Sequence, residues 1–250
     1  MRSPLQLAFV TSGLMRRSEK SSETVRPAGV IFDVDGTLVD SFDLGFSSTN
    51  AVLLNNGYSA VTEEDYVYGC RFATPERLAW HTGLAESEAQ EVGAQLGAEF
   101  DGYYVKLVTR ESAPLVEGMT DLLTKLDHVK LGCLTNAAVA YAEAVLETHG
   151  LRSKFLTVRG ADDVPNPKPH PDGLLVCCDD LNLRPEDCVY IGDSVTDGKA
   201  AQNANFKRSI GVAWASLAFG NSETKLRDSG NFDTVVTTLP QLEQCLLQCF

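Results

Sequence analysis

Residues 28–41 read AGVIFDVDGTLVDS, an apolar run that ends in Asp33 and Asp35 before a Gly-Thr pair. Two carboxylates one residue apart on an extended backbone point to the same side. At the C-terminal end of a buried strand they sit at the sheet edge where α/β folds bind ligands. An Asp-Gly turn accounts for Asp35 and Gly36. It leaves Asp33, an acid that closes a hydrophobic strand, without a structural purpose.

Downstream, short apolar runs suited to strands alternate with helical stretches, which predicts an α/β fold on a parallel sheet. The expected strands are 29–33, 129–134, 155–158, 188–191, 209–212 and a short late one at 234–236. The helical pattern over 137–149 ends at Gly150, a C-terminal cap, and Pro171 suits the first turn of the next helix. Residues 41–113 interrupt the alternation with helical patterning and no buried strand, so they read as an inserted helical domain. Helices are expected around 50–54 and over 86–108, with Thr74 as an N-cap ahead of Pro75. The chain leaves the core near Val39 and returns near 114–118. The expected division is 1–27 as a leader, 28–40 and 114–250 as the core, and 41–113 as the insert.

Three further segments approach the same sheet edge: LTNAA with Thr135 and Asn136, NPKPHPD with Lys168, and YIGDSVTD with Asp193 and Asp197. With these four segments in this order, the sequence resembles the haloacid-dehalogenase-like phosphohydrolases over residues 28–245. GADDVPNPKPHPDGLL and IGDSVTD look most like the phosphoglycolate phosphatase branch. The resemblance implies a three-layer, Rossmann-like core with a parallel sheet and an inserted helical cap domain. It also implies a phosphatase that works through an aspartyl-phosphate.

Asp33 is then the expected nucleophile, and Asp35 the acid that protonates the leaving group and afterwards activates water. A pure metal-ligand role for Asp35 is the alternative; in the family its backbone carbonyl meets the metal. The expected metal group is Asp33, Asp35, Asp193 and Asp197, an all-oxygen set that suits Mg²⁺. For Asp197, holding a metal-bound water and capping the helix that starts near Ser194 are equal alternatives. Lys168 is expected to pair with the phosphate and with Asp33, and Thr135 and Asn136 to reach the same phosphate oxygens. In the insert, Arg71 of YGCRF is expected to read a substrate carboxylate, with Arg77 a weaker candidate. His170 is expected only to pack or turn.

The chain holds 250 residues with 21 Lys+Arg against 34 Asp+Glu, a net charge of −13. Such a surface repels phosphate backbones, so neither nucleic acid nor membrane is an expected partner. The expected partner is a small phosphorylated molecule, and the protein a monomer or homodimer. Seven cysteines with no CxxC pair read as buried thiols of a reducing compartment. Cys245 and Cys249, four apart, lack nearby His and read as core. Residues 1–27 carry five basic residues and only two acids. A transit peptide and an untargeted tail are both open readings, so the expected location is cytoplasmic, or a mitochondrial or plastid matrix.

The substrate is expected to be a small anionic monoester, with 2-phosphoglycolate first. A sugar-phosphate phosphatase and a beta-phosphoglucomutase-like mutase are the alternatives. The mutases carry a histidine ten residues after the second aspartate, where this chain has Gly45. A non-enzymatic binding protein on the same scaffold would be expected to lack one of Asp33, Asp35 and Lys168.

Overall fold

The computed structural model describes residues 28–214 and 222–249. The leader reading for 1–27 falls outside them.

Six parallel strands form one sheet: β1 (Gly29–Phe32), β2 (Lys130–Leu134), β3 (Phe155–Arg159), β4 (Cys188–Gly192), β5 (Arg208–Val212) and β6 (Thr234–Val236), in the order β3-β2-β1-β4-β5-β6. All six lie where the apolar runs place them, to within a residue or two. The order reverses at β1, which pairs with both β2 and β4. That reversal is where an open parallel sheet leaves a crevice at its C-terminal edge.

Alternation along β1 sends Val30 and Phe32 to one side of the sheet and Ile31 to the other. On the first side lie α5 (Met119–Lys125), α6 (Val139–Thr148) and α10 (Leu239–Leu247), which bury Leu123, Tyr141 and Leu242 against Phe32 and its neighbours. On the second lie α7 (Asp172–Leu181) and α8 (Val195–Asn203), whose Leu174, Cys178 and Ala200 cover Ile31 and Tyr190. The result is the three-layer α/β/α arrangement, with a short α9 (Glu223–Asp228) before β6.

Between β1 and α5 come four consecutive helices: α1 (Phe42–Asn55), α2 (Glu63–Gly69), α3 (Thr74–Thr82) and α4 (Glu86–Lys106). Helix α1 begins eight residues before the expected start. Leu44, Ser48 and Val52, all buried, keep one face inward at four-residue spacing although the Ser and Thr among them blur the hydrophobic pattern. Thr74 is not the cap of α3: Ala73 holds that position in extended backbone, and Thr74 is already helical and buried. The two linkers run side by side, with Asp40 N–H donating to Pro114 O and Val116 N–H to Leu38 O, both at 2.9 Å.

All seven cysteines are free thiols. No described helix is long and apolar enough to cross a membrane.

Candidate active site

Strand β1 ends at Phe32, and Asp33 follows it directly, anchored by its N–H to Ile191 O at 2.8 Å. Gly36 closes the turn at φ +69°. A Cβ there would lie 2.3 Å from Asp193 Oδ2, so the turn and the end of β4 approach each other only because residue 36 has no side chain.

Lys168 supplies the charge. Its ammonium, 3% exposed, donates to Asp33 Oδ1 and to Asp197 Oδ1, each at 2.7 Å, with Tyr190 Oη at 3.2 Å and Leu134 O at 3.3 Å. Burial alone would lower the lysine pKa; the carboxylates of Asp197 and Asp33 reverse the sign and raise it, so it stays protonated. Asp33 is pushed well above the carboxylate range by burial and by the charges of Asp197, Asp193 and Asp35, which Lys168 only partly offsets.

Two groups hold that lysine in place. Asn136 clamps its backbone, Nδ2 donating to Lys168 O and Oδ1 accepting from Lys168 N–H, both at 2.9 Å. The amide expected on the phosphate thus also engages the Lys168 backbone, through one N–H and its oxygen, and Asn136 still lines the cavity. Asp197 is fully buried at the third position of α8, where it forms a capping box with Ser194. Its Oδ2 accepts from Ser194 N–H at 3.0 Å and Ser194 Oγ at 2.5 Å, while Tyr190 Oη donates to Oδ1 at 2.6 Å. Both oxygens are therefore occupied, which matches the capping alternative.

Asp35 faces another way. Its Oδ1 accepts from Ser41 Oγ, from Tyr141 Oη at 2.7 Å and, weakly, from Tyr104 Oη at 3.5 Å; Thr135 Oγ1 donates to Oδ2 at 3.3 Å. Ligand oxygens of Asp33, Asp193 and Asp197 lie within 4.8 Å of one another, a group that does not include the Asp35 carboxylate. Lys168 lies between two of these three buried carboxylates, those of Asp33 and Asp197. An all-oxygen set of this kind fits a hard divalent cation.

These groups open into a cavity of about 460 Å³ whose other wall comes from α2, α3 and α4. Arg71 sits exposed at its rim, with its guanidinium carbon 3.4 Å from the Tyr68 ring centroid and Nε donating to Tyr68 O at 2.8 Å. Arg77, rated weaker from sequence, is the buried arginine of the cavity wall. His170 is exposed, its N–H closing a turn on Pro167 O.

Sequence reasoning missed Tyr190, Tyr141, Tyr104 and Ser41. Tyr190 carried a signal, a hydroxyl within an apolar strand three residues before Asp193. The other three come from distant segments and carried none.

The family description of haloacid dehalogenase-like hydrolases matches residues 30–212. A phosphoglycolate phosphatase of Psychrobacter arcticus is 31% identical over 211 residues, covering 82% of this chain and 90% of its own. An N-acetylmuramic acid 6-phosphate phosphatase of Pseudomonas putida is 30% identical over 198 residues, 78% of this chain and 85% of its own. A hydrolase structure from Pseudomonas syringae superposes with a TM-score of 0.72 at 23% identity, covering 88% of this chain and 98% of that one. Sequence match, sheet order and the convergence of four separated segments on one cavity agree: the chain belongs to the haloacid dehalogenase-like hydrolases, in the branch that holds the phosphoglycolate phosphatases.

Proposed function

We propose that this phosphoric monoester hydrolase cleaves a small anionic phosphate monoester, with 2-phosphoglycolate the leading candidate, and that Asp33 is its nucleophile. The observation that carries the reading is the Asp33–Lys168 contact of 2.7 Å at the sheet's switch point. Lys168 holds Oδ1, while Oδ2 has no protein donor among the described residues. In the first step an Asp33 oxygen bonds to phosphorus and the bond to the leaving oxygen breaks. Asp35 gives that oxygen its proton. In the second step Asp35 takes a proton from water, whose oxygen displaces Asp33 and releases inorganic phosphate. Mg²⁺, held by Asp33 and Asp193, would supply positive charge against the phosphoryl oxygens. Lys168 adds a fixed positive charge beside Asp33, and Thr135 orients Asp35 through its Oδ2. Helices α1–α4 act as the cap over the site.

Two features support hydrolysis of a small acid over phosphoryl transfer between sugar positions. At Gly45 a Cβ would lie 2.0 Å from Tyr66 Oη, so the place where the mutases carry a histidine is filled by a tyrosine hydroxyl. The named substrates of the two relatives, phosphoglycolate and N-acetylmuramic acid 6-phosphate, are both acids.

The test is phosphate release from 2-phosphoglycolate, sugar phosphates and nucleoside monophosphates by the full chain. Activity with Mg²⁺, loss in EDTA and loss of more than a hundredfold in Asp33→Asn are expected. Full turnover in EDTA refutes the metal, and more than a hundredth of wild-type activity in the Asn variant refutes the nucleophile. If 2-phosphoglycolate is not among the best substrates, the substrate assignment fails.

A further inference from the structure

Arg77 lies in α3 and is 5% exposed. Its Nη1 donates to Thr49 Oγ1 at 2.6 Å, and its guanidinium carbon is 4.7 Å from the Phe100 ring centroid and 5.3 Å from that of Tyr66. No carboxylate comes within ion-pairing range of it among the described residues. Buried charges are costly unless paired, because desolvation is repaid only by a close counter-charge and satisfied hydrogen bonds. A guanidinium has five N–H donors. One is used on Thr49, and no other protein acceptor for them is present among the described residues.

The other cations that line the cavity are placed differently, and Lys225 among them is exposed. Lys168 is already shared between Asp33 and Asp197, and Arg71 is stacked on Tyr68 at the rim. Asp101 on α4 feels Arg77 only at longer range; burial and the charge of Asp162 push its carboxyl up to about 6. Among the described residues, Arg77 is thus the buried cation of this cavity that has no anion, and it lines the same cavity as Asp33 and Asp35. Thr49 fixes its orientation, since Thr49 Oγ1 gives its own proton to Gly45 O at 2.8 Å and turns a lone pair to the arginine. The aromatic rings restrict it further, leaving a planar fork.

We infer that Arg77, braced by Thr49, is the specificity residue that pairs with a carboxylate on the substrate while the phosphate sits at Asp33. This rests on the phosphatase reading above. It moves the role expected of Arg71 from the rim to the cavity wall. Planar bidentate pairing suits a carboxylate, and the desolvated setting disfavours a neutral group in its place.

The experiment compares kcat/KM for 2-phosphoglycolate with that for its uncharged amide, carbamoylmethyl phosphate, in wild type, Arg77→Met, Arg77→Lys and Arg71→Met. Wild type should prefer the acid by at least 30-fold. Arg77→Met should lose about 10- to 100-fold on the acid and less than threefold on the amide, Arg77→Lys should recover part of the loss, and Arg71→Met should change the preference by less than threefold. Equal turnover of acid and amide by wild type, equal slowing of both by Arg77→Met, or a preference that follows Arg71 overturns the inference. So does a wild-type preference for a bisphosphate over the acid. Should Arg77→Met fail to fold, inhibition of wild type by phosphonoacetate and by phosphonoacetamide decides: the acid must bind at least tenfold tighter, and equal inhibition refutes the role. If wild type hydrolyses no monoester at all, the phosphatase reading fails by itself. Calorimetric binding of phosphonoacetate to wild type and Arg77→Lys still tests the arginine.

Discussion

The Tyr141 hydroxyl donates to Asp35 Oδ1 at 2.7 Å, and the Tyr141 ring lies 4.2 Å from that of Tyr104, centroid to centroid, with the two planes 24° apart. Tyr141 belongs to α6 in the core and Tyr104 to α4 in the helical insert, so a pair of stacked tyrosines joins the two parts of the chain at the proposed acid. Both hydroxyls reach the same oxygen. Tyr141→Phe should therefore leave Asp33 untouched but loosen Asp35. Turnover of alkyl phosphates, whose leaving oxygen needs the proton, should fall about tenfold, while aryl phosphates with good leaving groups should slow far less. Steady-state rates on the two ester classes check this; equal slowing of both contradicts it.

Lys168 is the counter-charge for two buried carboxylates. Lys168→Met strands them, and loss of one partner of a buried ionic group costs about 3–5 kcal/mol. Urea unfolding should show a loss of unfolding free energy of that size, together with lost activity. Because the folded lysine pKa is raised, the ammonium's contribution is fully present below the unfolded value of about 10.4 and is lost as pH rises beyond it.

Gly36→Ala should act through Asp193. The residue has φ +69°, and the new methyl would meet Asp193 Oδ2 at 2.3 Å. The carboxylate must move, so the Mg²⁺ concentration for half-maximal activity should rise at least tenfold while KM for substrate at saturating Mg²⁺ changes less. A metal titration of the variant is the measurement. An unchanged metal requirement would show that Asp193 is not a ligand.

His81 lies one turn beyond Arg77, and neither of its ring nitrogens has a hydrogen-bond partner among the described residues. Burial, with Arg77 adding, lowers its pKa to about 4. The unfolded chain takes up this proton below about pH 6.5 and the folded chain only near 4, so stability falls as pH drops through that window. The effect should be about 1–2 kcal/mol once the ring's partial exposure is discounted. His81→Phe should flatten unfolding midpoints between pH 4.5 and 7, and proton NMR should find one of the four histidines titrating near 4.

The positions of the strands along the chain follow from local signals. Each strand is a short apolar run closed by its own turn residues, and parallel strands need crossovers of the length that the helical stretches provide. Asp33, Lys168 and Asp193 were legible for the same reason: a charged residue at the end of a buried strand, or between prolines, stands out against its immediate neighbours. The start of α1 and the cap of α3 were less legible, because Ser, Thr and Gly on the inward face weaken periodicity although tertiary burial accepts them.

What sequence alone determined was the architecture, the family and the ends of the strands where chemistry gathers. Tertiary structure decided which side chains face one another. Asn136 grips Lys168, Tyr104 and Tyr141 meet at Asp35, and Arg77 rather than Arg71 is the buried arginine of the cavity wall. These pairings join residues 32 to 106 positions apart. The reason is physical: a strand or helix is written in the few residues around it, whereas the burial and unmet charge of a side chain arise only when distant segments have closed over it.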